Sequence, residues 1–451
     1  MNKEQQPDMS RYAEMADRVY QISPEFYGKY NVKRGLRNAD GSGVLVGLTQ
    51  IGDVHGYLVD ENEIVPVHGR LRYRGIEIKD LVNGFLKEKR MGFEETCYLI
   101  LFGELPTAEQ LEDFRELLGS HRILPDNFKE DVILNTSSNN VMNKLARSVL
   151  AAYSFDEHAE DYSTANLLLQ CIRLIAWFPT MATYAYQAKA HYYDGQSLFM
   201  HLPEPSLSTA ENILRMLRAD QAYTPLEAEV LDMMLVLHAE HGGGNNSAFT
   251  VHVISSALTD TYSVISAAIG SLKGDRHGGA NIKVLEMMKD IRVNVRDVTD
   301  ETEMKGYLTK IFRKEAFDRS GLVYGMGHAV YTLSDPRARV LKGKAMELAE
   351  AKGMRGELEM YQLIEKLTPE VYREVKQTDK TIAANVDFYS GFVYDLLGIP
   401  SEMFTPLFAI ARIPGWCAHR LEEVVGGGRI MRPAYKSIVQ GKDYIPLEER
   451  G

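Results

Sequence analysis

The 451-residue sequence predicts a mainly α-helical protein of two domains with a small β element near its N-terminus. Three observations predict this fold class. Helix-capping signatures recur along the chain. Strand-like alternation is confined to residues 44–78, with a turn at 60–62, and a polar glycine-rich turn at 273–281 separates two helical regions. A chain of this length can bury one large core or two domains that share an interface.

Several helices are predicted to begin at capping boxes, in which a serine or threonine stands three residues before a glutamate or glutamine. These pairs are Thr107 with Gln110, Ser208 with Glu211, and Thr224 with Glu227. The helix after Thr224 is predicted to run to the glycines at 242–244, where a left-handed cap is favourable. A further long apolar helix is predicted to start at Ser401.

Domain boundaries are expected near residue 277 and near Gly391. The first boundary falls in the polar glycine-rich turn, which a helix of small residues precedes. Charged amphipathic helices follow, predicted at residues 301–317 and 338–351, and apolar density rises again after Gly391.

The composition argues against a nucleic-acid-binding protein and sets a condition on any site for an anionic substrate. The formal net charge is −11, whereas a nucleic-acid-binding surface carries a basic excess. Any site for an anionic substrate must therefore concentrate arginine and lysine locally. No uninterrupted apolar stretch is long enough to cross a bilayer, and the first residues lack the apolar centre of a secretory leader, so a soluble cytoplasmic protein is expected.

The three cysteines argue against two further kinds of structure. Cys97, Cys171 and Cys417 show no Cys-x-x-Cys spacing. A disulfide framework and a thiolate metal site are both disfavoured by this pattern.

Four segments place chemically active side chains beside glycine or apolar residues. In the first, His241 is predicted at the last turn of its helix, where the dipole favours an imidazolium. Taken alone, a capping histidine bonded to free carbonyls is the simpler interpretation. His238 and Glu240 stand nearby, but metalloprotease helices need histidines four residues apart, so no metal is expected.

The second and third segments each place a histidine among glycines. His277 lies in the polar turn, and His328 lies in a Gly-x-Gly-His stretch followed by Asp335 and Arg337. Glycine leaves the backbone open to a ligand, although many such turns are ordinary connectors. Arg337 falls in the first turn of a predicted helix, where the dipole disfavours it; a surface ion pair or a ligand contact both account for it.

The fourth segment holds Asp387 among apolar and aromatic neighbours. Such an aspartate is either a helix cap or a carboxylate whose basicity is raised by desolvation. Arg412 follows inside an apolar helix, where a guanidinium is unfavourable unless it meets an anion.

In order and spacing, these segments resemble the citrate synthase family. The motifs are Gly-His-Gly-Gly-Ala-Asn at His277, Gly-x-Gly-His-Ala-Val-Tyr with a later Asp-Pro-Arg at His328, and Asn-Val-Asp-Phe-Tyr-Ser-Gly at Asp387. The stretches at 73–76 and 93–95 are similar too. The resemblance runs from about residue 40 to the C-terminus.

The resemblance implies condensation of acetyl-CoA with oxaloacetate and water to give citrate and CoA. Asp387 would be the base, His277 would hydrogen-bond the thioester oxygen, and His328 would polarise the ketone. Guanidinium groups match the two carboxylates of oxaloacetate. The family pattern implies these oxaloacetate contacts: His241, Asn245, Arg337, Arg412 and Arg432.

The resemblance also implies an architecture and an assembly. Residues 1–277 and 391–451 would form a large domain, and residues 278–390 a small domain that closes over the substrates. A homodimer is implied, in which Arg432 reaches the neighbouring subunit's site. CoA enters as a substrate, with no tightly bound cofactor and no metal.

The expected CoA contacts depart from the family pattern. Thr332 stands where many members carry lysine or arginine near the coenzyme phosphates. Lys273 and Arg276 are the candidate replacements.

Three alternatives stay open at this point. A 2-methylcitrate synthase uses propionyl-CoA with the same machinery, and one methylene is discriminated by only about 1–3 kcal/mol. A non-catalytic helical scaffold would retain the fold without the chemistry. A metallohydrolase would need a metal for activity.

Overall fold

The computed structural model describes residues 10–38, 40–60, 63–275 and 277–450. Within these ranges most residues are helical, and the β structure is one three-stranded sheet. The predicted fold class is therefore confirmed.

An N-terminal unit contains two short helices and is compact by itself. Helix α1 covers Ser10–Val19, and α2 covers Pro24–Lys29 with Pro24 at its start. A single 3₁₀ turn, Arg34–Leu36, follows.

The sheet has the strand order β1-β2-β3. Strand β1 is Gly52–Asp60, β2 is Glu63–Tyr73, and β3 is Ile76–Glu77. The last two strands are antiparallel and are joined by a two-residue turn at Arg74 and Gly75, whose φ values of 49° and 87° match a type I′ hairpin. The β region thus begins eight residues later than predicted from the alternation at Val44, and part of the predicted turn at 60–62 lies outside the described residues.

Fifteen further α-helices follow in the described chain. They are α3 (Ile78–Lys87), α4 (Phe93–Phe102), α5 (Ala108–Ser120), α6 (Val141–Ala152), α7 (Thr164–Asp194), α8 (Thr209–Leu217), α9 (Pro225–His238), α10 (Asn246–Ser255), α11 (Thr261–Lys273), α12 (Ala280–Asn294), α13 (Glu301–Phe312), α14 (Pro336–Ala351), α15 (Arg355–Lys376), α16 (Val386–Leu396) and α17 (Phe404–Val425). Short turns of 3₁₀ or π helix are Lys129–Leu134, Tyr153–Phe155, Ser401–Met403 and Leu447–Glu449.

The capping boxes predicted from sequence are confirmed. In α5, α8 and α9 the cap side chain accepts from the third backbone N–H, and the Gln or Glu side chain accepts from the cap N–H. Both hydrogen bonds are local, so neighbouring residues alone determine these helix starts.

Two predicted helix ends were wrong. Helix α9 ends at His238 rather than at the glycines after His241, because the side chain of Glu240 accepts from the N–H of Gly242 at 2.5 Å and turns the chain out of the helix. Helix α13 ends at Phe312 rather than near residue 317, because Lys314 adopts a left-handed φ of 66°.

Helices α7 and α17 pack against each other in the core. Every residue of α17 from Phe404 to Arg420 is buried, as expected for a helix surrounded by others. Helix α7 is long and apolar enough to cross a membrane, but 72% of its most apolar window is buried inside the protein, as in the central helix of a folded core.

Helices α12 to α16, which lie between residues 278 and 396, make many of their contacts with one another. Helix α14 also packs on α9 and α3. Residues 49–61 and 65–451 form one compact unit, so the boundaries at 278 and 390 stay a prediction.

Candidate active site

Most of the predicted site residues lie at helix ends or in the loops between helices, and Arg412 lies within a helix. They are His241 after α9, His277 between α11 and α12, His328 before α14, Arg337 in the first turn of α14, Asp387 at the second position of α16, and Arg412 in the middle of α17.

The loop that carries His328 is paired with the segment that begins α16. Gly327 N donates to Ala383 O at 2.7 Å, and Asn385 N donates to Gly325 O at 2.9 Å. The Asn385 side chain donates from Nδ2 to Gly327 O at 2.7 Å. Gly325 has a φ of 77°, and a Cβ there would clash with Phe388 in α16. These bonds bring His328 and Asp387 to the same place although they are far apart in sequence.

The small sheet holds the other side of the same loop. Gly69 N in β2 donates to Ser334 O at 3.1 Å, and His68 Nδ1 is 3.0 Å from Ser334 Oγ. A Cβ at Gly56 in β1 would clash with the carbonyl of Val330. The β element therefore acts as the platform on which the His328 loop lies.

The ring of His328 is oriented by two backbone amides. Its Nδ1 accepts from Val330 N at 3.0 Å and from Tyr331 N at 3.2 Å. A nitrogen that accepts hydrogen bonds carries no proton, so the proton of a neutral ring is on Nε2. The ring also stacks on Tyr331 with centroids 4.7 Å apart and meets His241 edge-on at 5.2 Å.

Arg337 forms an ion pair that is buried rather than on the surface. Asp335 caps α14, accepts from Arg337 Nη2 at 2.7 Å and from Nε at 3.1 Å, and also accepts from Val386 N at 3.1 Å. Although burial opposes it, the Asp335 carboxylate raises the pKa of Arg337. The arginine is thus a permanently charged group held in place beside Asp387, whose charge it also senses.

Arg412 is a fully buried guanidinium with unsatisfied donors. Its Nε donates to His238 O at 2.6 Å, and the guanidinium lies 4.9 Å from the ring centre of Phe408. Nη1 and Nη2 have no hydrogen-bond partner among the residues that the structure describes. Burial lowers the pKa of Arg412 to about 10, which leaves it charged at neutral pH. A buried cation with two free donors favours an anionic ligand.

Asp387 is a desolvated carboxylate and not the cap of its helix. Asn385 is the cap, and its Oδ1 accepts from Asp387 N at 3.0 Å. Burial raises the pKa of Asp387 to about 6, against the charges of Arg337 and Arg412, which lower it. The second of the two interpretations of this aspartate is therefore the one that the structure supports.

His277 is held by a serine at the start of α10. Its Nε2 is 3.1 Å from Ser247 Oγ. Ser247 Oγ also accepts from Trp416 Nε1 at 3.0 Å and donates to Asn245 Oδ1 at 2.8 Å. Burial, and then the charge of Arg412, lower the pKa of His277 to about 4, so the ring is neutral at physiological pH.

The interpretation of His241 as an imidazolium at the last turn of its helix is not supported by the structure. The residue lies beyond the end of α9, and burial together with the charge of Arg337 lowers its pKa well below the usual value. His238, which does end the helix, makes the predicted kind of cap bond through Nδ1 to Met234 O at 2.8 Å. His241 is thus a neutral, buried imidazole between His328 and Tyr331.

Buried polar atoms without a partner in the described ranges converge on this region. They are His241 Nε2, Tyr331 Oη, Thr332 Oγ1, and Nη1 and Nη2 of Arg412. A buried polar group left unsatisfied is unfavourable by about 1–3 kcal/mol, so such a set indicates a place built for a polar ligand.

The remaining predicted contacts lie outside this group. Asn245 caps α10, where its Oδ1 accepts from Ser247 N. Lys273 is exposed at the end of α11, and Arg432 is exposed after α17. Arg276 lies outside the described residues. The proposed roles of these four residues stay predictions.

Sequence reasoning did not single out Ser247 or Tyr331. Ser247 follows the cap Asn245 by two residues, a spacing that normally indicates only a helix start. Tyr331 was part of a recognised motif, but its contact with two histidine rings depends on the folded loop.

Comparisons with known proteins found similar chains and a similar fold. A family model described as "Citrate synthase, C-terminal domain" matches residues 40–434. The citrate synthase of Haloferax volcanii is 36% identical over 405 residues, covering 88% of this chain and 98% of that relative. The citrate synthase of Corynebacterium glutamicum is 35% identical over 392 residues, covering 85% of this chain and 84% of that relative. The crystal structure of citrate synthase from Pyrobaculum aerophilum is similar with a TM-score of 0.74 at 30% identity, covering 91% of this chain and 94% of that chain.

Proposed function

This chain belongs to the citrate synthase family and is an enzyme that condenses acetyl-CoA with oxaloacetate, and we propose that Asp387, His277 and His328 carry the chemistry. The activity is of the transferase type, and CoA takes part as a substrate. The observation that supports the assignment best is a buried carboxylate with a pKa near 6, Asp387, among neutral imidazoles and two guanidiniums.

Oxaloacetate binds first to the positive groups. Arg337 and Arg412 pair with its two carboxylates, because guanidiniums bind carboxylates through parallel N–H donors. His241 donates to the same substrate from Nε2. Nη1 and Nη2 of Arg412 and Nε2 of His241 lack partners within the described residues, which supports this placement. Ligand oxygens satisfy the guanidinium donors and, in the tautomer with its proton on Nε2, the imidazole of His241.

The acetyl methyl group then loses a proton to Asp387. A thioester enolate is far more basic than a carboxylate, so the base must act while a donor stabilises the oxygen. His277 supplies that hydrogen bond. In the structure the Ser247 hydroxyl donates to Asn245 Oδ1 at 2.8 Å. When this hydroxyl turns to donate to Nε2 of His277, 3.1 Å away, the ring proton is on Nδ1, and this N–H donates to the thioester oxygen.

The enolate carbon attacks the ketone carbon of oxaloacetate, whose oxygen accepts a hydrogen bond from His328. This oxygen takes up a proton as the new bond forms, which balances the proton that Asp387 removed and gives the hydroxyl of citryl-CoA. The two amides on Nδ1 of His328 support this role, because they leave the proton on Nε2. The new carbon–carbon bond gives citryl-CoA. Water then cleaves the thioester, which releases citrate and the CoA thiol.

Replacement of the base tests the assignment. Asp387→Asn is expected to lower kcat by about 10²–10⁴-fold, measured as thiol release from acetyl-CoA with oxaloacetate. Asp395→Asn, on the exposed side of the same helix, is the matched control and should keep the wild-type rate. Unchanged thiol release from Asp387→Asn would show that another group is the base. If neither the wild type nor Asp387→Asn released thiol, the scaffold alternative would be correct.

The choice of acyl donor needs its own assay. The relatives named above are citrate synthases, which supports acetyl-CoA. The 2-methylcitrate alternative predicts a higher kcat/KM with propionyl-CoA than with acetyl-CoA under the same conditions. Activity that persists in a chelator excludes the metallohydrolase.

A homodimer in the cytoplasm, with domain closure over the substrates, completes the proposal. Its sharpest test uses two inactive variants, Asp387→Asn and Arg432→Ala. If Arg432 serves the neighbouring subunit, mixed dimers contain one intact site, and random exchange restores about a quarter of the wild-type activity. If Arg432 serves its own chain, mixing restores nothing. If Arg432 serves no site, Arg432→Ala is active by itself.

A further inference from the structure

A cluster of two histidines and a glutamate lies beside the active-site loop and takes no part in the mechanism above. The histidine–glutamate cluster comprises His252 in α10 with His419 and Glu422 in α17. It lies against the glycine loop that follows Glu240, where a Cβ on Gly243 would be 3.4 Å from both imidazoles. The cluster therefore connects two core helices at the edge of the site.

The facing atoms of the cluster have the spacing of metal ligands. One atom from each residue lies within 4.8 Å of the other two. His252 Nε2 and His419 Nδ1 are 3.0 Å apart, and His419 Nδ1 is 3.8 Å from Glu422 Oε2. A tetrahedral ion with bonds of about 2.0 Å holds its ligand atoms about 3.3 Å apart, so small side-chain shifts accommodate one.

Each histidine is oriented from behind by a carboxylate. Nδ1 of His252 is 2.8 Å from Glu423 Oε2, and Nε2 of His419 is 3.0 Å from Glu240 Oε1. Metal-binding histidines typically donate their other ring N–H to a carboxylate or carbonyl, which fixes the tautomer and directs the free nitrogen at the ion. Two such pairs converge here.

The third ligand atom is buried and available. Glu422 Oε1 accepts from Gln50 N at 2.8 Å, whereas Oε2 has no hydrogen-bond partner within the described part of the chain. The histidine rings of this region face three carboxylates, those of Glu240, Glu422 and Glu423. A dication offsets this excess of negative charge in a place that is largely shielded from water.

We propose that His252, His419 and Glu422 bind one Zn²⁺ ion. Two imidazoles and one carboxylate form a ligand set that zinc commonly takes, with water at a fourth position. The ion would connect α10 to α17. Through His419 it would also hold the Glu240 carboxylate in place, and this carboxylate accepts from Gly242 N, next to His241. The site is separate from catalysis, and its failure would leave the proposed function untouched.

The competing state of this cluster holds a proton in place of the ion. Although burial opposes it, the charge of Glu240 raises the pKa of His419 to about 9, and the charged ring can donate from Nδ1 to His252 Nε2. The two states differ in one measurable property, which is the binding of Zn²⁺.

The test is a Zn²⁺ titration of the full-length protein after removal of metal with a chelator. The proposal expects one Zn²⁺ per chain by calorimetry, and Co²⁺ in its place should give the visible absorption of a tetrahedral site. His252→Ala and Glu422→Gln should weaken binding at least 100-fold. Glu423→Gln keeps all three ligand atoms and should weaken it by about 10–100-fold.

Controls separate this cluster from other histidines. His158→Ala removes an exposed imidazole, and His328→Ala removes an imidazole of the active site. Both variants should bind Zn²⁺ as the wild type does. Circular dichroism checks that each variant folds. If His252→Ala does not fold, the Zn²⁺ affinity of Glu423→Gln decides the test. The proposal is overturned if the wild type binds Zn²⁺ with a Kd above about 100 µM, or if Glu423→Gln and Glu422→Gln leave Zn²⁺ binding unchanged. Either result would mean that the cluster holds a protonated His419 and no metal ion.

Discussion

Replacing Arg412 by methionine is expected to weaken oxaloacetate binding while stabilising the ligand-free protein. The guanidinium is completely buried in α17, with one hydrogen bond from Nε to His238 O. Its two terminal nitrogens lack partners among residues 10–38, 40–60, 63–275 and 277–450. Methionine fills a similar volume without charge or donors.

The expected stability change follows from these contacts. Two buried unsatisfied N–H groups are each unfavourable by about 1–3 kcal/mol, and a hydrogen bond to a charged group contributes about 1.5–3 kcal/mol. Removing all three gives a net stabilisation of roughly 1–3 kcal/mol. The unfolding entropy is about 2.1 cal/mol/K per residue, so over 451 residues the melting temperature should rise by about 1–3 °C.

The binding change has the opposite sign. Loss of a buried charged partner weakens binding by about 2–5 kcal/mol, which lowers kcat/KM for oxaloacetate by roughly 30- to 4,000-fold. Oxaloacetate at about 100 times its Kd stabilises the wild type by about 2.7 kcal/mol. In thermal unfolding followed with and without oxaloacetate, Arg412→Met should lose this ligand-dependent shift.

Arg420→Met is the matched control, because Arg420 lies two turns further along α17, is equally buried, and also carries unsatisfied donors within the described chain. It should keep the oxaloacetate shift and the wild-type KM. The reasoning is refuted if Arg412→Met melts several degrees lower without ligand, or if it still gains stability from oxaloacetate.

Three more predictions follow from the same geometry. The logarithm of kcat/KM should fall with unit slope below about pH 6, because the base Asp387 must be ionised and burial raises its pKa to about 6; a profile flat to pH 5 contradicts this. Gly325→Ala should lower kcat at least ~10-fold at full expression, because a Cβ there meets Phe388 and shifts the loop before His328; an unchanged rate would mean that the loop tolerates the shift. Ser247→Ala should lower kcat ~10-fold or more with little change in KM for oxaloacetate, because His277 loses the hydroxyl that sets its tautomer, and Ser247→Thr should restore most of the rate.

The local parts of this fold could be predicted from the sequence because their causes are local. The capping boxes at Thr107, Ser208 and Thr224 involve residues three apart, and each was found where predicted. The end of α9 could not be predicted in this way. It depends on Glu240, which bonds to His419, a residue far away in the sequence.

The same distinction between local and long-range causes applies to the candidate site. The residue types of Asp387 and Arg412 indicated an unusual environment, but only the packing showed that one is desolvated and the other has free donors. The imidazolium interpretation of His241 assumed a helix end that the folded chain does not have. The glycines of β1 and β2 gave no signal of function, because their role is to let strands approach the loop of His328.

The place of Asp387 within α16 limits how strong a base this enzyme can use. The carboxylate is two residues inside the helix, close to backbone N–H groups and to the partial positive charge of that terminus. An equally buried carboxylate in mid-helix would lack this field and would have a higher pKa. Arg337 and Arg412 oppose the desolvation of Asp387, and the field of the helix terminus adds to theirs. A one-turn extension of the helix before Val386 would therefore shift the working pH range of the enzyme upward.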